Sequence, residues 1–273
     1  MSVNYKQKAL RDHHYSSVKP TPENEGFNAF QDHSSGRPQI ESGPQAFHVY
    51  KDDQDMSEEI RQGFISKVYG IISIQILITG VFVFMAVLTE LGPWLLRNAW
   101  LAGLCLVGAL VTEIMIICCK YGRKVPDNYI CLFIFTFCES IVVATICAEV
   151  DEPFIVLISA FMTMVLVLTL TAYAWYTKND FTVCGSIIWV LLSSFITLII
   201  LMLIFPSDTM YILYCAGGTI IFSFILIADT QMLKGDKSNR FSEDDYILAA
   251  LMIYIDIITI FLKILEMVSK ARR

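Results

Sequence analysis

Residues 246–268 read YILAALMIYIDIITIFLKILEMV. A membrane-crossing helix needs about 20 apolar residues, so this segment is long enough to cross, although it contains Asp256, Lys263 and Glu266. On a helix, one face would carry small or polar residues spaced three or four apart: Ala249, Met252, Asp256, Thr259 and Lys263. The other sides carry Ile and Leu and are expected to contact lipid. The segment therefore predicts a membrane helix whose polar stripe faces other helices.

Apolar runs of similar length fill most of the chain before this segment. Of the 273 residues, 55% are hydrophobic and 17% charged, against about 45–50% and about 25% in soluble domains. Six runs precede the last one: Ser66–Leu88, Asn98–Cys119, Tyr129–Cys147, Phe154–Tyr176, Val183–Phe205 and Met210–Ala228. Every proline after residue 62 falls between runs, where a helix breaker belongs. We predict an all-α integral membrane protein with seven transmembrane helices.

The distribution of basic residues predicts domain boundaries and orientation. Residues 1–62 are polar and are expected to form a disordered cytosolic tail, followed by a seven-helix membrane domain over residues 63–273. Alternate loops contain seven basic residues on one side (Lys120, Arg123, Lys124, Lys178, Lys234, Lys237 and Arg240) and only Arg97 on the other. The positive-inside rule therefore predicts a cytosolic N-terminus. The basic ending KARR at 270–273 conflicts with this prediction, because a seventh crossing would place it on the opposite side.

Four acidic residues within or at the end of the apolar runs stand out: Glu113, Glu139, Asp229 and Asp256. A charged carboxylate at the membrane centre costs about 2.5–3.5 kcal/mol on insertion scales, so each needs a reason. Glu113 could reach the interface, whereas Glu139 is central in its run and should face the bundle interior. Asp256 has no suitable cation among the other runs, so it needs a proton, a metal ion or a second carboxyl group beside it.

Asp229, at the end of the sixth run, is a candidate for that second carboxyl group. Two carboxylates in close contact cannot easily hold two negative charges, so they would share one proton. Hard oxygen ligands suit Ca²⁺. The two aspartates therefore predict a proton-sensitive latch in a cation pathway, with a hydrogen-bonded structural pair as the alternative.

Four segments resemble the transmembrane Bax-inhibitor-motif family, and its Lifeguard branch most closely. They are FISKVYGIISIQ at 64–75, FTFCE at 135–139, AWYTKNDFT at 174–182, and ADTQ at 228–231 followed by DYILAALMIYID at 245–256. The resemblance covers residues 64 to about 268. The sequence departs from it at Met252 and Thr259, where the family often has Asn. It also lacks an arginine inside the second run, so an arginine partner for the latch is not expected.

The resemblance implies a fold and an activity. The implied fold has the last helix at the centre, surrounded by the other six. The implied activity is a pH-sensitive Ca²⁺ leak across the endoplasmic reticulum or Golgi membrane that contributes to Ca²⁺ homeostasis and negative regulation of apoptosis. The family's paired latch would correspond to Asp229 and Asp256.

A second hypothesis is an anti-apoptotic interaction protein that binds apoptosis-regulating membrane proteins and conducts no ions. The apolar runs contain no histidine, and no phosphate-binding glycine loop is present. The Gly-x-Gly-Asp and Tyr-Asp elements of intramembrane aspartyl proteases are also absent. We therefore expect no enzyme, no resident cofactor and no nucleic-acid partner; the bilayer and Ca²⁺, as a permeant or bound ion, are the expected partners.

Overall fold

The computed structural model describes residues 44–118, 126–150, 152–182, 185–235, 241–242 and 244–272, and of residues 44–58 and 185–188 it describes the backbone alone. These residues form eight α-helices and contain no strand. The helices are α1 (Pro44–Leu88), α2 (Leu91–Arg97), α3 (Ala99–Cys118), α4 (Asp127–Ala148), α5 (Pro153–Tyr176), α6 (Gly185–Ile204), α7 (Asp208–Lys234) and α8 (Tyr246–Arg272).

The described residues confirm the predicted helical class and contain several helices that could cross a membrane. Six of the described helices are long and apolar enough to cross: Glu59–Leu88 within α1, α3, α4, α5, α7 and α8. Helix α6 contains a shorter apolar segment, Trp189–Ile204, which is not among these six. Residues 1–43 of the predicted tail lie outside the described residues. The rest of the predicted tail, residues 44–62, forms the start of α1.

The short helix α2 was not predicted, because Pro93 was interpreted as a loop marker. Pro93 is the third residue of α2, in the first turn, where a missing backbone donor costs no intrahelical hydrogen bond. A Cβ atom on the neighbouring Gly92 would lie 2.2 Å from the carbonyl oxygen of Ala86, so the turn between α1 and α2 requires glycine. With seven residues, α2 is too short to cross a bilayer.

Helix α8 has the largest buried share of the six long apolar helices. It packs against α3, α4, α5 and α7, and it also contacts α1 through Tyr254. The expectation that its Ile and Leu residues contact lipid is wrong, since Ile247, Leu251 and Ile260 are fully buried. They are buried because neighbouring helices cover several sides of α8 rather than its polar stripe alone.

The basic C-terminal end of α8 lies beside acidic residues of other helices. Lys270 pairs with Asp208 at the start of α7, at 2.8 Å, and Arg272 pairs with Glu152 before α5, at 2.6 Å. Both pairs are exposed and contribute little to stability. They show, however, that α8 runs antiparallel to α7 and that its basic end lies beside acidic residues.

Buried hydroxyl groups join α8 to α1 and α4. The hydroxyl of Thr79 in α1 lies 3.0 Å from that of Ser140 and 2.7 Å from that of Tyr254. One turn earlier in α1, the Gln75 amide donates to Thr136 at 2.9 Å. These bonds satisfy polar groups that would otherwise face an apolar interior.

We predict that Thr79→Val lowers the free energy of unfolding by about 1 kcal/mol, because the isosteric side chain leaves the Tyr254 hydroxyl without this partner. Unfolding in mixed detergent micelles, followed by circular dichroism, measures the change. Thr169→Val is the matched control, since the Thr169 side chain is exposed and bonds only to its own helix. Equal effects of the two substitutions would contradict the prediction.

Candidate functional site

Asp229 and Asp256 lie side by side in the interior of the helix bundle. Asp229 is near the C-terminal end of α7, and Asp256 is in the middle of α8. Their side chains are hydrogen-bonded to each other and are only 2% and 4% exposed. The antiparallel packing of α7 on α8 thus creates the carboxyl pair that the sequence analysis considered.

Neither carboxyl group has a hydrogen-bond partner outside the pair for its buried oxygen. The Oδ2 atoms of Asp229 and Asp256 are both buried and form no hydrogen bond with any other described residue. Among the described residues, no Lys or Arg forms an ion pair with either group. A direct hydrogen bond between two carboxyl groups requires a proton on one of them, so the pair carries at most one negative charge in this state.

The pair offers a cation four carboxyl oxygens at most. Ca²⁺ usually takes six to eight oxygen ligands, so water would have to supply the remainder. The described residues contain no group of three or more His, Cys, Asp or Glu side chains positioned to hold a metal ion. The two carboxyl groups alone therefore supply fewer ligands than Ca²⁺ usually takes.

Gln231, one turn after Ala228, fixes the end of α7 to the loop between α5 and α6. Its amide nitrogen donates to the carbonyl of Asn179 at 2.9 Å, and its amide oxygen accepts from the backbone N–H of Phe181 at 2.9 Å. Gln231 is fully buried, so both polar ends of its side chain are satisfied by backbone. The segments 174–182 and 228–231 are distant in sequence, but they are joined by these two hydrogen bonds, two residues after Asp229.

Arg61, which the sequence analysis missed, holds the same end of α7 from the other side. Its guanidinium donates to four backbone carbonyl groups: Met232 at 2.7 Å, Lys234 at 3.2 Å, Phe241 at 2.9 Å, and Leu233. A cation is favourable here, because the last carbonyl groups of a helix have no partner within the helix and carry partial negative charge. Gly235 ends α7 with a positive φ of 78°, and a Cβ there would lie 2.5 Å from the guanidinium.

Glu139 and Glu113 lie away from the aspartate pair. Both are half-buried, on α4 and α3, and they are close enough to each other to interact electrostatically. Glu139 also interacts with Tyr254, the residue of α8 that bonds to Thr79. The structure thus brings together two pairs of acidic residues, one between α3 and α4 and the other between α7 and α8.

Comparison with known proteins identifies related sequences over most of the chain. The sequence profile of a family described as "Inhibitor of apoptosis-promoting Bax1" matches residues 61–273. Protein lifeguard 3 of Homo sapiens is 33% identical over 217 residues, covering 77% of this chain and 70% of that protein. Protein lifeguard 4 of Mus musculus is 35% identical over 229 residues, covering 78% and 89%. Bax inhibitor 1 of Schizosaccharomyces pombe is 29% identical over 217 residues, covering 79% of each chain.

We predict that Arg61→Ala loosens the C-terminal end of α7, because four carbonyl groups lose a charged donor. Amide hydrogen exchange over residues 228–235 should become about tenfold faster or more, which corresponds to about 1.4 kcal/mol of local stability. Arg97→Ala, which removes an exposed arginine from α2, is the control and should leave this exchange unchanged. An unchanged rate of amide exchange in Arg61→Ala would show that the Arg61 hydrogen bonds are not needed to hold the end of α7.

Proposed function

The chain belongs to the family of inhibitors of apoptosis-promoting Bax1, and on this premise we propose that it restrains cell death as a pH-sensitive Ca²⁺ leak of an intracellular membrane. The observation that carries the proposal is the pair Asp229 and Asp256. The two groups are hydrogen-bonded to each other within apolar helices, and their buried Oδ2 atoms have no partner among the other described residues. Burying two carboxyl groups in an apolar interior costs free energy, and for this reason we infer that the pair has a function.

Whether the pair holds a proton determines whether α7 and α8 stay together. With one shared proton, the hydrogen bond between Asp229 and Asp256 holds α7 against α8. The interface between these two helices, which we call the seam, is then closed. When the pH rises and the proton leaves, two negative charges face each other at short range in a medium of low dielectric constant. Their repulsion favours separation of α7 from α8. The same two charges attract Ca²⁺, so loss of the proton opens the seam and creates the cation site.

We propose a topology of seven crossings: α1 and α3 to α8, with α8 at the centre of the other six and the N-terminus in the cytosol. The burial of α8 and its contacts with five other helices support the central position. The excess of basic residues in alternate loops supports the orientation. We further propose the endoplasmic reticulum or the Golgi as the location, in line with the resemblance, and we propose no enzymatic activity.

The names of the relatives, lifeguard and Bax inhibitor, concern cell death rather than conduction. An interaction protein that binds apoptosis-regulating membrane proteins would also fit these names. In that case, the aspartate pair would serve only to hold α7 to α8. Measuring ion flux and cell survival on the same variants separates the two functions.

We predict that purified protein in liposomes passes Ca²⁺, and that the flux rises with increasing pH as the shared proton is lost. Asp256→Asn should abolish this pH dependence, because an amide can bond to Asp229 but cannot ionise. Entry of Ca²⁺ into vesicles loaded with a Ca²⁺-sensitive dye measures the flux. Asp208→Asn, at an exposed position on α7, is the control and should keep the wild-type pH profile.

Absence of flux in the wild type, or an identical pH profile in Asp256→Asn, would contradict the channel proposal. A flux that falls as the pH rises would contradict the opening mechanism. If Asp256→Asn loses pH-dependent flux but still protects cells from apoptotic stimuli, the protection comes from protein interactions instead.

A further inference from the structure

A second polar cluster lies on α8 beyond the aspartate pair. The Lys263 ammonium forms an ion pair with Glu266 at 2.9 Å and donates to the Tyr214 hydroxyl of α7 at 2.9 Å. The Cys215 thiol donates to the same Glu266 oxygen at 3.5 Å. Lys263 is buried, at 9% exposure, although lysine is rarely buried in proteins and still more rarely within membrane helices.

Several features of the neighbouring helices hold the ammonium in place. Gly218 of α7 provides room for the lysine stem, since a Cβ atom there would lie 3.2 Å from Lys263 Cδ. Tyr214 is oriented by Phe195 of α6, whose ring stacks on it with centroids 5.3 Å apart. The positive charge therefore has a defined position at the seam between α7 and α8.

This position lies between the aspartate pair and a polar cavity. Lys263 follows Asp256 by seven residues on the same face of α8, about 10 Å along the helix axis. Beyond it, towards the end of α8, is a cavity of about 290 Å³, which we call the C-terminal cavity; its polar lining residues are Glu149, Glu266, Ser269 and Lys270. The order along α8 is thus the C-terminal cavity, Lys263 and the aspartate pair.

We infer that Lys263 is a fixed electrostatic barrier that limits the passage of cations between the C-terminal cavity and the aspartate pair, so that the seam between α7 and α8 has a second control point. The inference rests on the proposed function, because it assumes that cations use this seam. An ammonium in a narrow, apolar path repels any cation that must pass it, as basic side chains do in other selective pores. Glu266 keeps the ammonium in place and attracts cations into the C-terminal cavity.

The barrier makes a specific prediction about ion charge. Coulomb repulsion is proportional to the charge of the passing ion, so the barrier is twice as high for Ca²⁺ as for K⁺ at the same position. Removing the charge should therefore increase the two fluxes unequally, and the factor for Ca²⁺ should be about the square of the factor for K⁺. General loosening of the helix bundle would not produce this relation.

The test measures Ca²⁺ and K⁺ flux separately into neutral phosphatidylcholine vesicles containing the full-length protein. Lys263→Gln removes the charge and keeps hydrogen-bonding capacity towards Glu266 and Tyr214. Lys263→Met combined with Glu266→Gln removes both charges and serves if the first variant does not fold, with folding assessed by circular dichroism and gel filtration. Lys263→Arg retains the positive charge, and Arg97→Gln removes an exposed charge at the same end of the bundle.

We expect Lys263→Gln to pass Ca²⁺ about tenfold faster and K⁺ about threefold faster than the wild type. The double variant should show a smaller increase, again larger for Ca²⁺ than for K⁺, because it also loses the attraction of Glu266. Lys263→Arg and Arg97→Gln should remain within about twofold of it. Unchanged flux in the neutral variants, or equal increases for both ions, would overturn the barrier. Asp256→Asn, measured alongside, tests the latch separately. A wild type that passes no Ca²⁺, with a neutral variant that does, would support the barrier and contradict the proposed wild-type leak.

Discussion

The hydrogen bond between Asp229 and Asp256 joins α7 to α8 inside the bundle, and this bond depends on a proton. A carboxylate without a partner is costly in an apolar interior, and two facing carboxylates repel each other. The single bond between them satisfies both groups only while they share a proton. The stability of this helix pair is thereby linked to the protonation of one site.

The structure holds the helix that carries Asp229 on two sides. Arg61 of α1 donates to the carbonyl groups at the end of α7, and Gln231 binds the backbone of the loop before α6. Both contacts satisfy polar groups that a helix end leaves without partners. They fix the C-terminal end of α7 and thereby hold Asp229 beside Asp256.

Helix α8 makes buried polar contacts with both α1 and α7. Tyr254 bonds to Thr79 of α1, Asp256 bonds to Asp229 of α7, and Lys263 bonds to Tyr214 of α7. In a membrane, such bonds specify position, since lipid and neighbouring helices offer similar apolar contacts. These three side chains explain how an otherwise aliphatic helix is held at one depth and one rotation within the bundle.

The amino-acid sequence alone determined the helical class, the seven apolar segments and the acidic residues that needed an explanation, because hydrophobic length and the cost of buried charge are local properties. It also identified Asp229 and Asp256 as candidate partners. It missed α2, since Pro93 is compatible with either a loop or a first helical turn. It also missed Arg61, whose carbonyl acceptors lie more than 170 residues away.

Only the tertiary structure showed that the basic end of α8 lies beside Asp208 and Glu152, and that Lys263 pairs with Glu266 and Tyr214 instead of Asp256. Lys263 and Glu266 are one turn apart on α8, but the pairings between helices depend on the register of antiparallel helices, which is set by packing across the bundle and leaves no local pattern in the sequence.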